Sequence, residues 1–148
     1  MDERNHLELR QIAEQASARI RQVTDSLSEL RANYDGPAIA DNISEIEIVY
    51  YEIVELQNEE QREQRERSLA RTRERFGLER LRQNQQLTTE GFVSLGRVIY
   101  HCERAIEAFE RWISNLRQSQ PFDEDVNTAI AETGEALHCA YLVSRPPT

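Results

Sequence analysis

This chain contains no lysine: all 18 of its Lys+Arg residues are arginine. Lysine is among the commonest residues of ordinary proteins, so roughly eight or nine would be expected here. Chance omission is improbable, on the order of one in ten thousand. Both side chains carry charge, but lysine alone offers the amine that takes ubiquitin and acetyl groups. A GC-rich coding bias fits poorly, because Ile, Asn and Gln are frequent. An engineered lysine-free chain is one alternative. Better matched is a protein working among ubiquitin-conjugating enzymes, such as a viral or effector protein in a host cytoplasm.

Other shortages exclude whole classes. No apolar run approaches the ~18 residues of a membrane span. The start, Met1-Asp2-Glu3-Arg4-Asn5, lacks the basic and apolar regions of a signal peptide. Cysteine appears twice, as Cys102 and Cys139, too few for a disulfide framework. Both fall at apolar helical positions and read as buried free thiols. A cytoplasmic location, or a virion assembled there, follows as the expectation. With five glycines, the chain has no Gly-rich phosphate loop, and it has no GxSxG, CxxC or HExxH motif. No enzyme activity, cofactor, metal or small-molecule substrate is expected. The net charge of −9 opposes general binding to nucleic acid or to an anionic membrane.

What is present is helical periodicity. The 148 residues suit one domain, read as a bundle over 1–143 with a Pro-rich tail or linker at 144–148. In the first segment, residues 2–32, Leu9, Ala13, Ala16, Ile20, Val23, Leu27 and Leu30 form an unbroken heptad seam. Gly36, expected in a left-handed turn, and Pro37 should end it. A second helix should open at Asn42, with Glu45 completing a capping box. Residues 43–56 alternate partly like a strand, but the helix-favouring continuation decides for helix. Ile48, Tyr51 and Val54 then lie off the main stripe and form a candidate self-association patch.

Residues 58–68 hold no apolar side chain, and their charges alternate in sign. Such a segment projects as a solvated arm, acts as a hinge, or extends the second helix into a long coiled-coil-like element. Pairs such as Glu63/Arg67 have the favourable i,i+4 order. Beyond it, Arg71, Arg73, Arg75, Arg80 and Arg82 outnumber Glu74 and Glu79. This is a candidate basic contact patch within an acidic chain.

The third segment should start at Thr88 or Thr89. Leu95, Ile99, Cys102, Ile106, Phe109, Ile113 and Leu116 make a second seam, flanked by Val98, Ala105 and Trp112. This widest apolar face belongs at the centre. The last helix begins with Asp123, Glu124 and Asp125, which complement its dipole. Val126, Ile130, Thr133, Leu137 and Ala140 form its seam. Glu135/His138 has the Glu-x-x-His spacing of di-iron bundles, as does Glu3/His6, but the seams carry no glutamate for such a site. His101 and Cys102 are adjacent, about 100° apart on a helix, and so do not face each other.

The fold class is therefore all-α, an antiparallel bundle of about four helices. The function expected is protein–protein association, chiefly with itself, as a structural or assembly component of viral capsid type. The alternative is a soluble effector that binds and blocks a host protein.

Overall fold

The structure is a computed structural model and describes residues 5–144. The helices are α1 (His6–Ala32), α2 (Gly36–Ile53), α3 (Glu59–Phe76), α4 (Leu78–Gln83), α5 (Thr89–Arg117) and α6 (Asp123–Leu142), with a 3₁₀ turn at Val54–Leu56. No strand occurs among the described residues, and the fold is an all-α helical bundle. Residues 1–4 and 145–148, including Glu3 and the Pro-Pro tail, lie outside the described residues.

The core is a ring of four helices. α1 packs on α2 and α5, and α6 packs on α5 and α2. Ring neighbours run antiparallel. Arg31 at the end of α1 donates to the Phe92 carbonyl at the start of α5 (3.2 Å), while Glu14 pairs with Arg117 at the other end (3.6 Å). Tyr141 donates to Glu47 (2.6 Å) and Gln57 donates to Asn127 (3.3 Å), which sets α6 against α2. Because α2 and α5 both descend, the chain must climb back between them. α3 makes that return on the outside of α2 and α6, parallel to α6. α4 then closes the end beside the α1–α2 turn.

The seams of the first and last helices are buried as the spacing predicts. Leu9, Ala13, Ala16, Ile20, Val23 and Leu27 of α1 are inside, with Leu30 half-buried at its end. Val126, Ile130, Thr133, Leu137 and Ala140 of α6 are all inside. The seam of α5 is rotated from its expected phase. Val98, Ala105 and Trp112 are fully buried beside Leu95, Cys102 and Phe109, whereas Ile99, Ile106 and Ile113 are half-buried. α5 touches both α1 and α6, so its buried arc centres between the two stripes. Trp112 stacks on Phe122 of the α5–α6 connection, rings 6.4 Å apart and nearly parallel at 6°.

Local signals set the helix ends. Asp35 caps α2 through the Ala38 amide (3.1 Å), with Pro37 in the first turn, so Pro37 starts a helix as well as ending one. Asn42 does not cap: it lies inside α2 and donates to Ser26 of α1 (3.0 Å) and to the Ala38 carbonyl. Gly36 is not left-handed. Its role is close approach, because a Cβ there would lie 2.5 Å from the Leu81 carbonyl oxygen. The true capping box is Asn58 with Gln61, at the start of α3. Thr88 caps α5 through the Gly91 amide. Gly77 takes φ +38 between α3 and α4, a conformation L side chains avoid.

The second helix is therefore not one long element. It stops at Ile53, and Gln57 and Asn58 are extended. Residues 58–68 neither project nor extend α2; they form the first half of α3, laid back on the bundle. Ser144, placed in the tail by sequence, is buried and donates to the Phe76 carbonyl (2.9 Å).

Candidate functional site

Two surfaces were expected to carry contacts, and the structure rearranges both. Of the self-association patch, Ile48 alone remains on the surface, at 49% exposed. Val54 is buried in the 3₁₀ turn. Tyr51 is half-buried under α3, where its hydroxyl donates to Glu66 (3.0 Å) and accepts from Arg73 (2.7 Å). The three side chains thus form no common patch. Their off-stripe position is real, but α3 of the same chain covers Tyr51, and Ile48 is left alone outside.

α3 reaches this place through polar contacts more than apolar ones. Leu69 is its one buried hydrophobic residue. Arg73 bridges Tyr51 and Glu66 (2.9 Å), Arg65 donates to Gln57 (2.8 Å), and Thr72 meets His138 Nδ1 (3.2 Å). Nearby, burial pushes the Tyr50 hydroxyl up to about 12. Tyr141 is raised as well, first by burial and then by its bond to Glu47. These phenols stay protonated, and Tyr141 donates its proton to the hydrogen bond with Glu47. The cluster is a clamp between α2, α3 and α6.

The basic patch is likewise split. Arg73 points into the clamp, and Arg82 pairs with Asp41 of α2 (2.8 Å). Arg80 stays on the exposed side of α4. Arg71 and Arg75 remain together and gain Arg67, one turn earlier, which the sequence reading left out. Arg67 does not pair with the Glu63 carboxylate; its Nε donates to the Glu63 carbonyl (3.4 Å). These three arginines border a groove between α3 and α6. Its lobes hold about 370 and 520 Å³ and share Arg71, Thr72 and His138. A groove of about 590 Å³ between α1 and α5 differs in kind. There Arg21 pairs with Glu110 and Arg117 with Glu14, so its charges are matched internally.

A further surface had no heptad signal. Phe92, Val93 and Tyr100 of α5 are 43%, 45% and 53% exposed. At 100° per residue they share one outward quadrant, with Gly96 at its centre. Arg31 lies over the Phe92 ring, 3.9 Å from its centroid. The signal available was their clustering on the polar side of a helix whose core stripe was already full.

Among the described residues the titratable groups form no nucleophile–base pair. Burial pushes the Cys102 thiol up to about 12 and raises Cys139, so both rest as thiols. Both are free and buried, as expected. His101 faces away from Cys102 and meets Glu132 of α6 (2.6 Å). Glu135 and His138 belong to no metal-ligating group among the described residues. No helix among them is long and apolar enough to cross a membrane. No protein-family model, curated protein or solved structure matches this chain.

Proposed function

We propose that this chain is a non-enzymatic association module that assembles with copies of itself. The outward quadrant of α5 carries this reading. Phe92, Val93 and Tyr100 are exposed on a helix whose opposite side is locked into the core. Grouped exposure of large apolar side chains marks an interaction surface, whereas single ones such as Ile48 need no explanation.

The edges of the quadrant point to a second copy. By helical phase, Glu103 lies toward its α1 side, and Arg97 and Arg104 on its α6 side. A twofold axis parallel to α5 would set the acidic edge of one copy against the basic edge of the other. Assembly of this kind suits a structural component, and the viral capsid reading adds to it the absence of lysine. Light scattering at low and high micromolar concentration tests the proposal. Mass should rise with concentration, and Phe92→Ser with Tyr100→Ser should return it to that of one chain at unchanged helicity. A monomer at every concentration overturns it.

The second reading is an effector that docks on another protein and blocks it. The three neighbouring arginines of the α3–α6 groove favour it.

A further inference from the structure

The groove between α3 and α6 has an unusual composition for this chain. Its lobes are lined by Arg71, Thr72, Arg75, Phe76, His138 and Leu142, and by Gln64, Arg67 and Ser68. No carboxylate is among them, although the chain has 27 Asp+Glu residues. None of the three arginines has a carboxylate partner within 4.0 Å among the described residues. By contrast, Arg73 and Arg82 nearby both do. Glu135 of α6 lines the adjoining small pocket with Arg65 instead. A solvated face that merely balanced the acidic bundle would bring these arginines against its carboxylates. Arg71 and Arg75 stand clear of them here, while Arg67 also borders Glu63 and Glu66 in a neighbouring pocket of α3.

We propose that this groove is a docking site for an extended acidic peptide segment of a partner protein. Arg67, Arg71 and Arg75 follow one another at i,i+4, so their Cα atoms stand about 6 Å apart along α3. An extended peptide presents alternate side chains on one face every ~6.6 Å. Acidic residues at alternate positions therefore meet successive guanidinium groups with little mismatch. Arginine suits the role, because its planar fork accepts a carboxylate bidentately. Ser68 and Thr72 add hydroxyls along the floor. Phe76 and Leu142 close one end with apolar surface, which would seat a hydrophobic residue flanking the acidic run. Single-stranded nucleic acid fits less well. It binds on rows of stacking aromatics, and the half-buried Phe76 and the His138 ring, already engaged by Thr72, make no such row here. This site is separate from the α5 quadrant and does not depend on self-assembly. It deepens the second functional reading by giving the chemistry of the partner.

Fluorescence anisotropy tests the proposal, with the whole chain titrated at low salt into three labelled probes. The first is a peptide of Leu followed by alternating Glu and Ser. The second carries Gln for Glu, and the third is an oligouridylate of equal charge. The acidic peptide should bind, the Gln peptide should not, and added salt should weaken the complex. Arg71→Glu with Arg75→Glu should lower affinity by roughly tenfold or more. Arg71→Gln with Arg75→Gln serves as a milder pair should the reversal disturb folding, which circular dichroism reports. Arg80→Glu reverses one charge where the pair reverses two, lies outside the groove, and should leave affinity nearly unchanged. Three outcomes overturn the proposal: no binding of the acidic peptide, equal loss from Arg80→Glu, or tighter binding of the oligouridylate. Because the readout is peptide affinity, loss of self-association through α5 would not affect it.

Discussion

Arg73 donates to the Tyr51 hydroxyl at 2.7 Å, and this bond ties α3 to α2 across 22 residues of sequence. Tyr51 in turn donates to Glu66, so one phenol closes a ring of three side chains on two helices. With Leu69 the one buried hydrophobic residue of α3, polar links of this kind take a large share of holding it.

Tyr51→Phe should therefore loosen α3 selectively. Hydrogen bonds to charged groups contribute about 1.5–3 kcal/mol each, more than neutral ones. Two are lost here, but both lie at a half-exposed site, so a destabilisation of ~1–2 kcal/mol is expected. Hydrogen exchange locates it. Amides of α3 should exchange faster, while those of α1, α5 and α6 keep their protection. Uniformly faster exchange would mean that α3 is part of the cooperative core.

The two stripes of α5 should respond differently to truncation. Phe109 is fully buried, and Phe109→Ala should cost ~3–5 kcal/mol. Ile106 is half-buried on the α1 side, so Ile106→Ala should cost less, ~1–2 kcal/mol. Urea melts of the two variants decide this. Equal losses would restore the heptad phase read from the sequence.

That phase error shows what the sequence could and could not carry. The seams of α1 and α6 were legible because each stripe lies at the centre of the arc its neighbours cover, so period and burial agree. α5 has two large neighbours, and the centre of its arc depends on where they sit. The contacts of α3 were illegible for another reason. Tyr51–Glu66, Arg65–Gln57 and Thr72–His138 join polar side chains distant in sequence, and no hydrophobic period records them. Residues 58–68 therefore read as a solvated arm. The arginine groove was half legible: Arg71 and Arg75 stood out by composition. Arg67 looked like the i,i+4 partner of Glu63, and Arg73 and Arg82 were indistinguishable from their neighbours.

Gly36 and Gly96 should give opposite results as alanines. At Gly36 the new Cβ meets the Leu81 carbonyl oxygen at 2.5 Å and the Asn84 carbonyl oxygen at 3.2 Å. Both are backbone atoms, so α4 must shift, at an expected cost of ~1–3 kcal/mol. At Gly96 the contact is the Arg31 guanidinium, the far end of a flexible side chain on the surface, held there by the Phe92 carbonyl and ring. Arg31 can swing aside, and alanine gains up to ~1 kcal/mol of helix propensity. Thermal melting should place Gly36→Ala clearly below the wild type and Gly96→Ala at or above it. A stable Gly36→Ala would show that α4 is not fixed on the α1–α2 turn.

The buried phenols should make the protein sensitive to alkali. Burial raises Tyr50 to about 12, and Tyr51 and Tyr141 are also shifted upward, again chiefly by burial. In the unfolded chain a tyrosine ionises near 10. Above that pH the unfolded state releases protons that the folded state still holds. Stability from these groups is therefore complete below pH ~10 and lost as pH climbs through the folded values. Ionisation of Tyr141 would also set a phenolate against the Glu47 carboxylate that now accepts its proton. Helicity by circular dichroism should hold to pH ~10 and then fall cooperatively. Phenolate absorbance from the buried tyrosines should appear together with that fall. Tyr141→Phe should shift the transition to higher pH while weakening the protein near neutrality, because it removes both the titrating group and the bond to Glu47. Full ionisation of every tyrosine before any loss of helix would show that the clamp is open to solvent.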